Sequence, residues 1–304
     1  MKDPKFSVII PTYNRGYMIM ATLESLFSQS FKHFEIIVVD NCSTDNTEEV
    51  LRPLIEKGAI KFIKHDKNYE RAKSRNTGMN VAQGEFVTFL DSDDFLYKNC
   101  LKDAESFIKR NSDIKIFHNL YELVNSDKET VKTYSFPPIK NAQKEILMGN
   151  FLSCIGIFIH KDIYENYRFD LAPELIGSED HEYWIRIIAD YSIIGRINKV
   201  NAGILEHPDR TVNQLDITKS INRKKYILEK LRTDKQLTLK YSKWIKHFEA
   251  YINVFAASDS NSIGTYRKSC VFLYNAIRID LNSASTIFFK KVLGITILKI
   301  LKLK

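Results

Sequence analysis

The sequence predicts an α/β fold, a mostly parallel sheet with helices on both faces, followed by a helical and basic C-terminal region. Three observations predict it. Apolar runs at 6–10, 34–39, 60–63 and from Phe86 have the length and the Val/Ile/Phe content of strands. Segments of about a dozen residues with helical apolar spacing separate these runs, and that alternation implies parallel strands joined by right-handed crossovers. From Asp216 onward the pattern is helical, with no glycine before Gly264, so two regions are expected, 1–215 and 216–304.

Taken in order, the first strand run closes at Pro11-Thr12-Tyr13-Asn14, predicted as a loop because proline cannot donate within a central strand. Leu23, Leu26 and Phe27 then recur at helical spacing. The second run ends in Asp40-Asn41-Cys42-Ser43-Thr44-Asp45, where Ser43 and Asp45 are candidate N-caps for a helix through Val50, Leu51 and Ile55. A helix is predicted over 71–81. The fourth strand runs into Asp91-Ser92-Asp93-Asp94, with another helix expected from about Tyr97. Beyond it the alternation breaks down. Residues 113–133 read as two or three edge strands, Pro137-Pro138 as a loop, and 155–159 as a strand containing Gly156. Ser178 can cap a helix whose Trp184, Ile185, Ile187 and Ile188 face inward.

A chain of 304 residues, 44% hydrophobic and 27% charged, is globular and long enough for a full core, as one large domain or two smaller ones. Met1-Lys2-Asp3-Pro4 leads straight into the first strand run, so no signal peptide is read there, and a cytoplasmic location is expected, at the inner face of the membrane if the C-terminal region binds it. Cys42, Cys100, Cys154 and Cys270 lie far apart without ligand spacing, which points to reduced thiols and away from a zinc site. The net charge of +8 hides an asymmetry: residues 217–304 hold 18 Lys/Arg against 5 Asp/Glu, or +13, which leaves −5 for residues 1–216. The two parts therefore face different partners. Residues 288–304 are Leu/Ile-rich and studded with lysine, but their longest uncharged run, 292–298, is too short to span a bilayer. Two roles stay open for this region, packing against other helices or lying in an anionic membrane surface. There is no Gly-x-Gly-x-x-Gly after the first strand and no Gly-Lys-Ser/Thr loop, so dinucleotide and P-loop functions are unsupported, and no nucleic-acid partner is expected.

The stretch 85–94 is the most informative. A strand of Phe, Val and Leu ends in three carboxylates within four residues, Asp91, Asp93 and Asp94. Such carboxylates repel one another unless a cation sits among them, and Mg2+ or Mn2+ bridges carboxylates to substrate phosphates. The competing reading is structural, since Asp and Ser are also turn and N-cap residues and Asp94 can begin the next helix. Context favours function. In parallel sheets ligands bind beyond the carboxyl ends of the strands, and three of those ends carry polar loops: Thr12-Tyr13-Asn14-Arg15, Asp40-Asn41 and Asp91-Ser92-Asp93-Asp94.

These pieces resemble family 2 of the glycosyltransferases, which have the GT-A fold. The resemblance covers about residues 5–210 and rests on five segments in order: Ser7-Val8-Ile9-Ile10-Pro11-Thr12-Tyr13-Asn14, Val38-Val39-Asp40-Asn41-Cys42-Ser43-Thr44-Asp45, Arg75-Asn76-Thr77-Gly78, the run from Gly84 to Asp94, and Glu179-Asp180. It implies a metal-dependent, inverting transferase that moves a sugar from a nucleotide-diphospho-sugar, UDP-linked by expectation, to a glycan or lipid-linked glycan acceptor. By the same resemblance, Asp91 and Asp93 are the metal motif for Mn2+ or Mg2+, with Ser92 between them in the nucleotide site. Pro11, Thr12, Tyr13, Asn14 and Arg15 flank the base and Asp40 accepts a hydrogen bond from it. Arg71 and Arg75 reach the phosphates or the base, Asp180 is the general base, Glu179 lies on the acceptor side, and His207 touches the metal or diphosphate. Where many members have Gly shortly before the Arg-Asn pair, this chain has Glu70. Two rival classes stay open, a metal-dependent nucleotidyltransferase or phosphohydrolase using the same acidic cleft, and a non-catalytic glycan- or membrane-binding scaffold.

Overall fold

The first strand, β1 (Phe6–Thr12), is buried along its whole length and is flanked on both sides by parallel partners, β2 (Phe34–Asp40) and β4 (Phe86–Phe89). A computed structural model describes residues 3–134, 136, 138–207 and 217–301. Between these strands lie α1 (Ile19–Phe27), α2 (Thr47–Glu56), β3 (Lys61–Lys64) and α3 (Glu70–Val81), and beyond them β5 (Phe95–Leu96) and α4 (Cys100–Arg110). Then come β6 (Ile116–Val124), β7 (Thr130–Tyr134), α5 (Ala142–Met148), β8 (Ile157–His160), α6 (Lys161–Tyr164), α7 (Glu179–Asp190) and β9 (Gly195–Leu205). The sheet runs β3-β2-β1-β4-β8-β6-β9-β5, with β7 on β6. The β3-β2-β1-β4 half is parallel, as the strand–helix alternation predicts, whereas β8 is antiparallel to both β4 and β6.

Several sequence expectations are corrected here. Pro11 is inside β1, paired in register with Val39. Strand alternation explains why this is tolerated. The Ile9 carbonyl accepts from Leu90 on the β4 side and the Thr12 carbonyl from Asn41 on the β2 side. The Pro11 nitrogen therefore faces β4, beyond the last paired residue of that strand, where no ladder bond is lost. The region read as edge strands instead supplies β6, which sits between β8 and β9, with only β7 outside it. Gly156 precedes β8 and takes φ +71, a left-handed backbone where a Cβ would come within 2.0 Å of Asn119 Oδ1. The helix after the acidic cluster starts at Cys100, after Asn99, so Asp94 does not begin it.

Two compact units divide the chain. One comprises Met1–Ala142, Phe151–Leu171 and Glu179–Arg210, and the other Gln143–Asn150, Ala172–Ser178 and Thr211–Lys304. The core of the first joins Val8, Ile10, Ile36 and Val38 of the sheet to Leu23 and Leu26 of α1 and Leu101 and Ala104 of α4. Phe117 and Phe158 stack within it, centroids 4.9 Å apart. In α7 the four predicted apolar residues are buried, and so is Glu182, paired with Arg186 one turn later at 2.6 Å. The second unit holds α8 (Ile217–Thr233), α9 (Lys235–Tyr241), α10 (Ile245–Ser262), α11 (Tyr266–Ile279) and α12 (Ile287–Ile300), the helices that its sequence predicts. Its own core packs Ala250, Val254 and Ala257 of α10 against Leu273 and Ala276 of α11 and Phe289 and Val292 of α12.

Candidate active site

Every candidate site residue lies in the first unit. In-register pairing of Thr12 with Asp40 brings the β1 and β2 ends together, and the Asn41 N–H donates to the Thr12 carbonyl at 2.8 Å. Asp40 is fully buried. Its Oδ1 accepts from the Ser43 N–H (3.1 Å) and the Ser43 hydroxyl, so Ser43 serves Asp40 and is not a helix cap. The Oδ2 of Asp40 and the Oγ1 of Thr12 are buried without a hydrogen-bond partner.

The loop after β1 is fastened to the loop after β2 residue by residue. Asn14, at φ 51, donates its N–H to Ser43 Oγ (2.8 Å) and accepts from the Thr44 N–H through Oδ1 (2.8 Å). The Arg15 N–H donates to Thr47 Oγ1 (3.1 Å) and the Gly16 N–H to Asp45 Oδ2 (3.1 Å). The first-turn N–H of Thr47 also donates to Asp45 (3.0 Å), so of the two predicted caps Asp45 is the one that reaches α2. This fastening leaves the Tyr13 ring 42% exposed at the mouth of the site, an open aromatic face.

The three carboxylates of the acidic cluster part company. Asp94 is structural: its Oδ1 accepts from the Leu205 N–H (3.2 Å) and its carbonyl from the Thr22 hydroxyl (2.8 Å). Asp93 Oδ2 lies 3.1 Å from His207 Nε2 and 3.6 Å from Arg15 Nε, so His207, 114 positions away in sequence, meets the acidic motif. Asp91 accepts from Arg75 Nη2 at 2.9 Å, with Ser92 buried between the two acids. Among the described residues no three His, Cys, Asp or Glu side chains form a metal cage, and at the acidic motif the candidate ligands brought together are Asp93 and His207.

Arg75, predicted on a helix facing the cleft, is instead almost fully buried. Its guanidinium bridges Asp91 and Glu179 (Nη1 to Oε1, 3.0 Å) and lies over the Phe169 ring at 5.5 Å. Arg71 Nε stands 3.6 Å from the same Glu179 oxygen. Burial works against the Arg75 charge, but Cys154, Asp91, Glu179 and Asp180 gather round it and raise its pKa. Burial likewise pushes the Asp91 carboxyl up, and Arg75, Arg71 and Arg15 together outweigh that and hold it below the usual carboxylate value. Asp180 is half-buried at the start of α7 with Oδ1 accepting from the His181 N–H (2.8 Å), and its charge acts on Arg75, Cys154 and Tyr121.

Sequence reasoning gave several neighbours no role in the site. Asn76 clamps the Phe169 backbone from both sides, donating at 2.9 Å and accepting at 2.8 Å, and Phe169 stacks on Tyr183 at 4.0 Å. A Cβ at Gly78 would come 2.4 Å from Ile9 Cγ2, so the Arg-Asn-x-Gly motif combines an ion bridge, a backbone clamp and a close helix–strand approach. Asn41 Oδ1 meets the Tyr69 N–H (3.0 Å) and His65 Nδ1 (3.0 Å), whose Nε2 meets Thr77 (2.9 Å). Burial and Lys73 lower the His65 pKa. Glu70 adopts φ 70, which accounts for glycine being the easier residue there. Burial pushes the Cys154 thiol well above its ordinary pKa despite its charged neighbours, which disfavours the thiolate.

Residues 7–167 match the sequence model of glycosyl transferase family 2. A relative from Escherichia coli, the UDP-Glc:alpha-D-GlcNAc-diphosphoundecaprenol beta-1,3-glucosyltransferase WfgD, is 28% identical over 206 residues, 67% of this chain and 76% of that one. Among solved structures, Staphylococcus aureus TarS 1–349 in complex with UDP-GlcNAc superposes with a TM-score of 0.69 at 23% identity, over 97% of this chain and 89% of that one. The mannosyltransferase PcManGT of Pyrobaculum calidifontis, in complex with GDP-Man and Mn2+, superposes at 0.60 and 17% identity, over 100% and 88%.

Proposed function

Because the chain belongs to family 2 of the glycosyltransferases and has their GT-A fold, we propose that it is an inverting, metal-dependent enzyme that moves a hexosyl or N-acetylhexosaminyl group from a UDP-linked donor to a hydroxyl of a growing, lipid-linked surface glycan. The observation that carries the donor half is Asp40, a fully buried carboxylate with one unpartnered oxygen at the carboxyl edge of parallel strands. A buried acceptor left unsatisfied costs about 1–3 kcal/mol, and the ring N–H of a uracil satisfies it. Tyr13 offers its face to the base, and Pro11, Thr12, Asn14 and Arg15 form the surrounding wall.

Asp93 and His207, a carboxylate oxygen and an imidazole nitrogen 3.1 Å apart, would hold the divalent cation, and the nitrogen donor would suit Mn2+ better than Mg2+, which prefers oxygen ligands. When bound, the metal neutralises the charge that builds on the leaving diphosphate. Asp91 is the second acid of the motif, kept ionised at neutral pH by Arg75. Asp180 is the general base, taking the proton of the acceptor hydroxyl as its oxygen attacks the anomeric carbon and the bond to the diphosphate breaks. Glu179, held by Arg75 and Arg71, fixes the start of α7 and hence the position of Asp180 on the acceptor side.

The acceptor class is supported by a relative named for transfer to a diphosphoundecaprenol-linked sugar. Such an acceptor places the work at a membrane face, which suits contact between the basic C-terminal region and anionic lipid at the cytoplasmic surface. A screen of nucleotide sugars for Mn2+-dependent hydrolysis and binding tests the proposal. Selective turnover of one UDP-sugar is the expected result, and a protein that binds no nucleotide sugar contradicts it.

A further inference from the structure

We infer that α12 is the membrane-docking element, lying flat in the headgroup layer of an anionic bilayer with its solvent-facing side inserted. The lipid-linked acceptor reading gives this docking its purpose, while the evidence for it is independent. Inside the second unit α12 is held by Phe289, Val292 and Thr296, the last joined to Ser269 at 2.9 Å and to Asn261 at 2.9 Å. Outside these contacts the helix is open, and its apolar residues Ile287, Leu293, Ile295, Ile297, Leu298 and Ile300, 37–86% exposed, share that side with Lys290, Lys291 and Lys299. A surface helix of a globular protein normally turns polar residues outward, whereas from Leu293 to Leu301 the exposed side chains are apolar apart from Lys299, which marks an interaction surface.

The charges decide which partner it fits. Helix α12 has no acidic residue, and Lys290, Lys291 and Lys299 are exposed on it. Residues 217–304 as a whole carry +13. A second copy of the chain would bring like charges together at the contact, whereas an anionic surface accepts both the lysines and the apolar face. Spanning is ruled out for this helix, since 14 residues at about 1.5 Å each fall short of a hydrocarbon core of about 30 Å. No helix among the described residues is long and apolar enough to cross a membrane. Lying in the interface is the geometry left to it.

The test is co-sedimentation of the intact protein with vesicles of phosphatidylcholine containing phosphatidylglycerol, against vesicles of phosphatidylcholine alone. Selective binding to the anionic vesicles, weakened by salt, is expected. The double variant Ile297→Ser/Leu298→Ser should lose about tenfold or more in vesicle affinity, because both side chains are already exposed and only their insertion is removed. Its circular dichroism melt and its UDP-sugar hydrolysis should match the wild type, which separates failure of docking from failure of the proposed reaction. Wild-type protein that ignores anionic vesicles overturns the inference. So does a concentration-dependent dimer, seen by sedimentation velocity, that the double variant abolishes while vesicle binding is unchanged.

Discussion

Replacing Arg75 with methionine tests the ion bridge at the heart of the site. Methionine keeps most of the volume and the contact with Phe169 but removes the charge shared by Asp91 and Glu179. Glu179 is then left as a buried carboxylate with Arg71 3.6 Å away. Breaking one side of a buried pair costs about 3–5 kcal/mol, and the lower end is expected here because Arg71 compensates in part and Asp91 is about one-third exposed. At about 2–4 °C per kcal/mol for a domain of this size, the melting temperature should fall by about 6–12 °C. Adding Glu179→Gln should restore part of the loss, with a coupling energy above about 1 kcal/mol. The assay is thermal and urea unfolding of the wild type, both single variants and the double variant. A melting temperature for Arg75→Met within about 1 °C of wild type, or additive single effects, would refute the bridge; with an Arg75 that only contacts donor, KM alone would change.

The remaining predictions concern chemistry and titration. Asp180→Asn should reduce transfer by about 10²–10⁴-fold while leaving donor affinity within about twofold, read by kcat and by calorimetric titration with UDP-sugar. Asp94→Ala should destabilise without touching chemistry, since it removes the acceptor for the Leu205 N–H, and a loss of about 1–3 kcal/mol in urea unfolding is expected at unchanged KM. In the second unit, burial depresses the Lys224 pKa to about 8, with Asp259 opposing, beneath a ring contact to Phe255 at 3.6 Å. The folded state therefore holds fewer protons than the unfolded chain between about pH 8 and 10.5, so stability relative to Lys224→Met should rise through that window by up to about 1.4 kcal/mol per pH unit. A flat difference between the two proteins from pH 8 to 10 contradicts this.

The strand ends that carry the polar loops were legible in the sequence. Apolar runs locate β1, β2 and β4 to within a residue or two, and a parallel sheet brings their carboxyl ends to one edge, so Thr12 pairs with Asp40 there even though Pro11 and Thr12 read as a loop. The parallel pairing of β3, β2, β1 and β4, though not their order, followed from the same alternation. What stayed hidden depends on distant pairing. The position of β6 inside the sheet is set by β8 and β9, which follow it in the chain. Arg75 sits on a helix of low apolar content, where a charged residue reads as solvated, and its burial becomes intelligible only once Glu179, 104 positions on, is beside it. That His207 lies beside Asp93 is visible only in the fold, and nothing in the pattern around Asp94 separated a candidate ligand from a residue that ties down β9.

The most direct test of the central claim is the affinity of UDP measured by titration calorimetry with and without Mn2+, in the wild type, Asp93→Ala and Asp40→Asn. The account predicts Mn2+-enhanced binding in the wild type, loss of the enhancement in Asp93→Ala, and weakened binding with the enhancement retained in Asp40→Asn. Mn2+-enhanced UDP binding that survives unchanged in Asp93→Ala would contradict it.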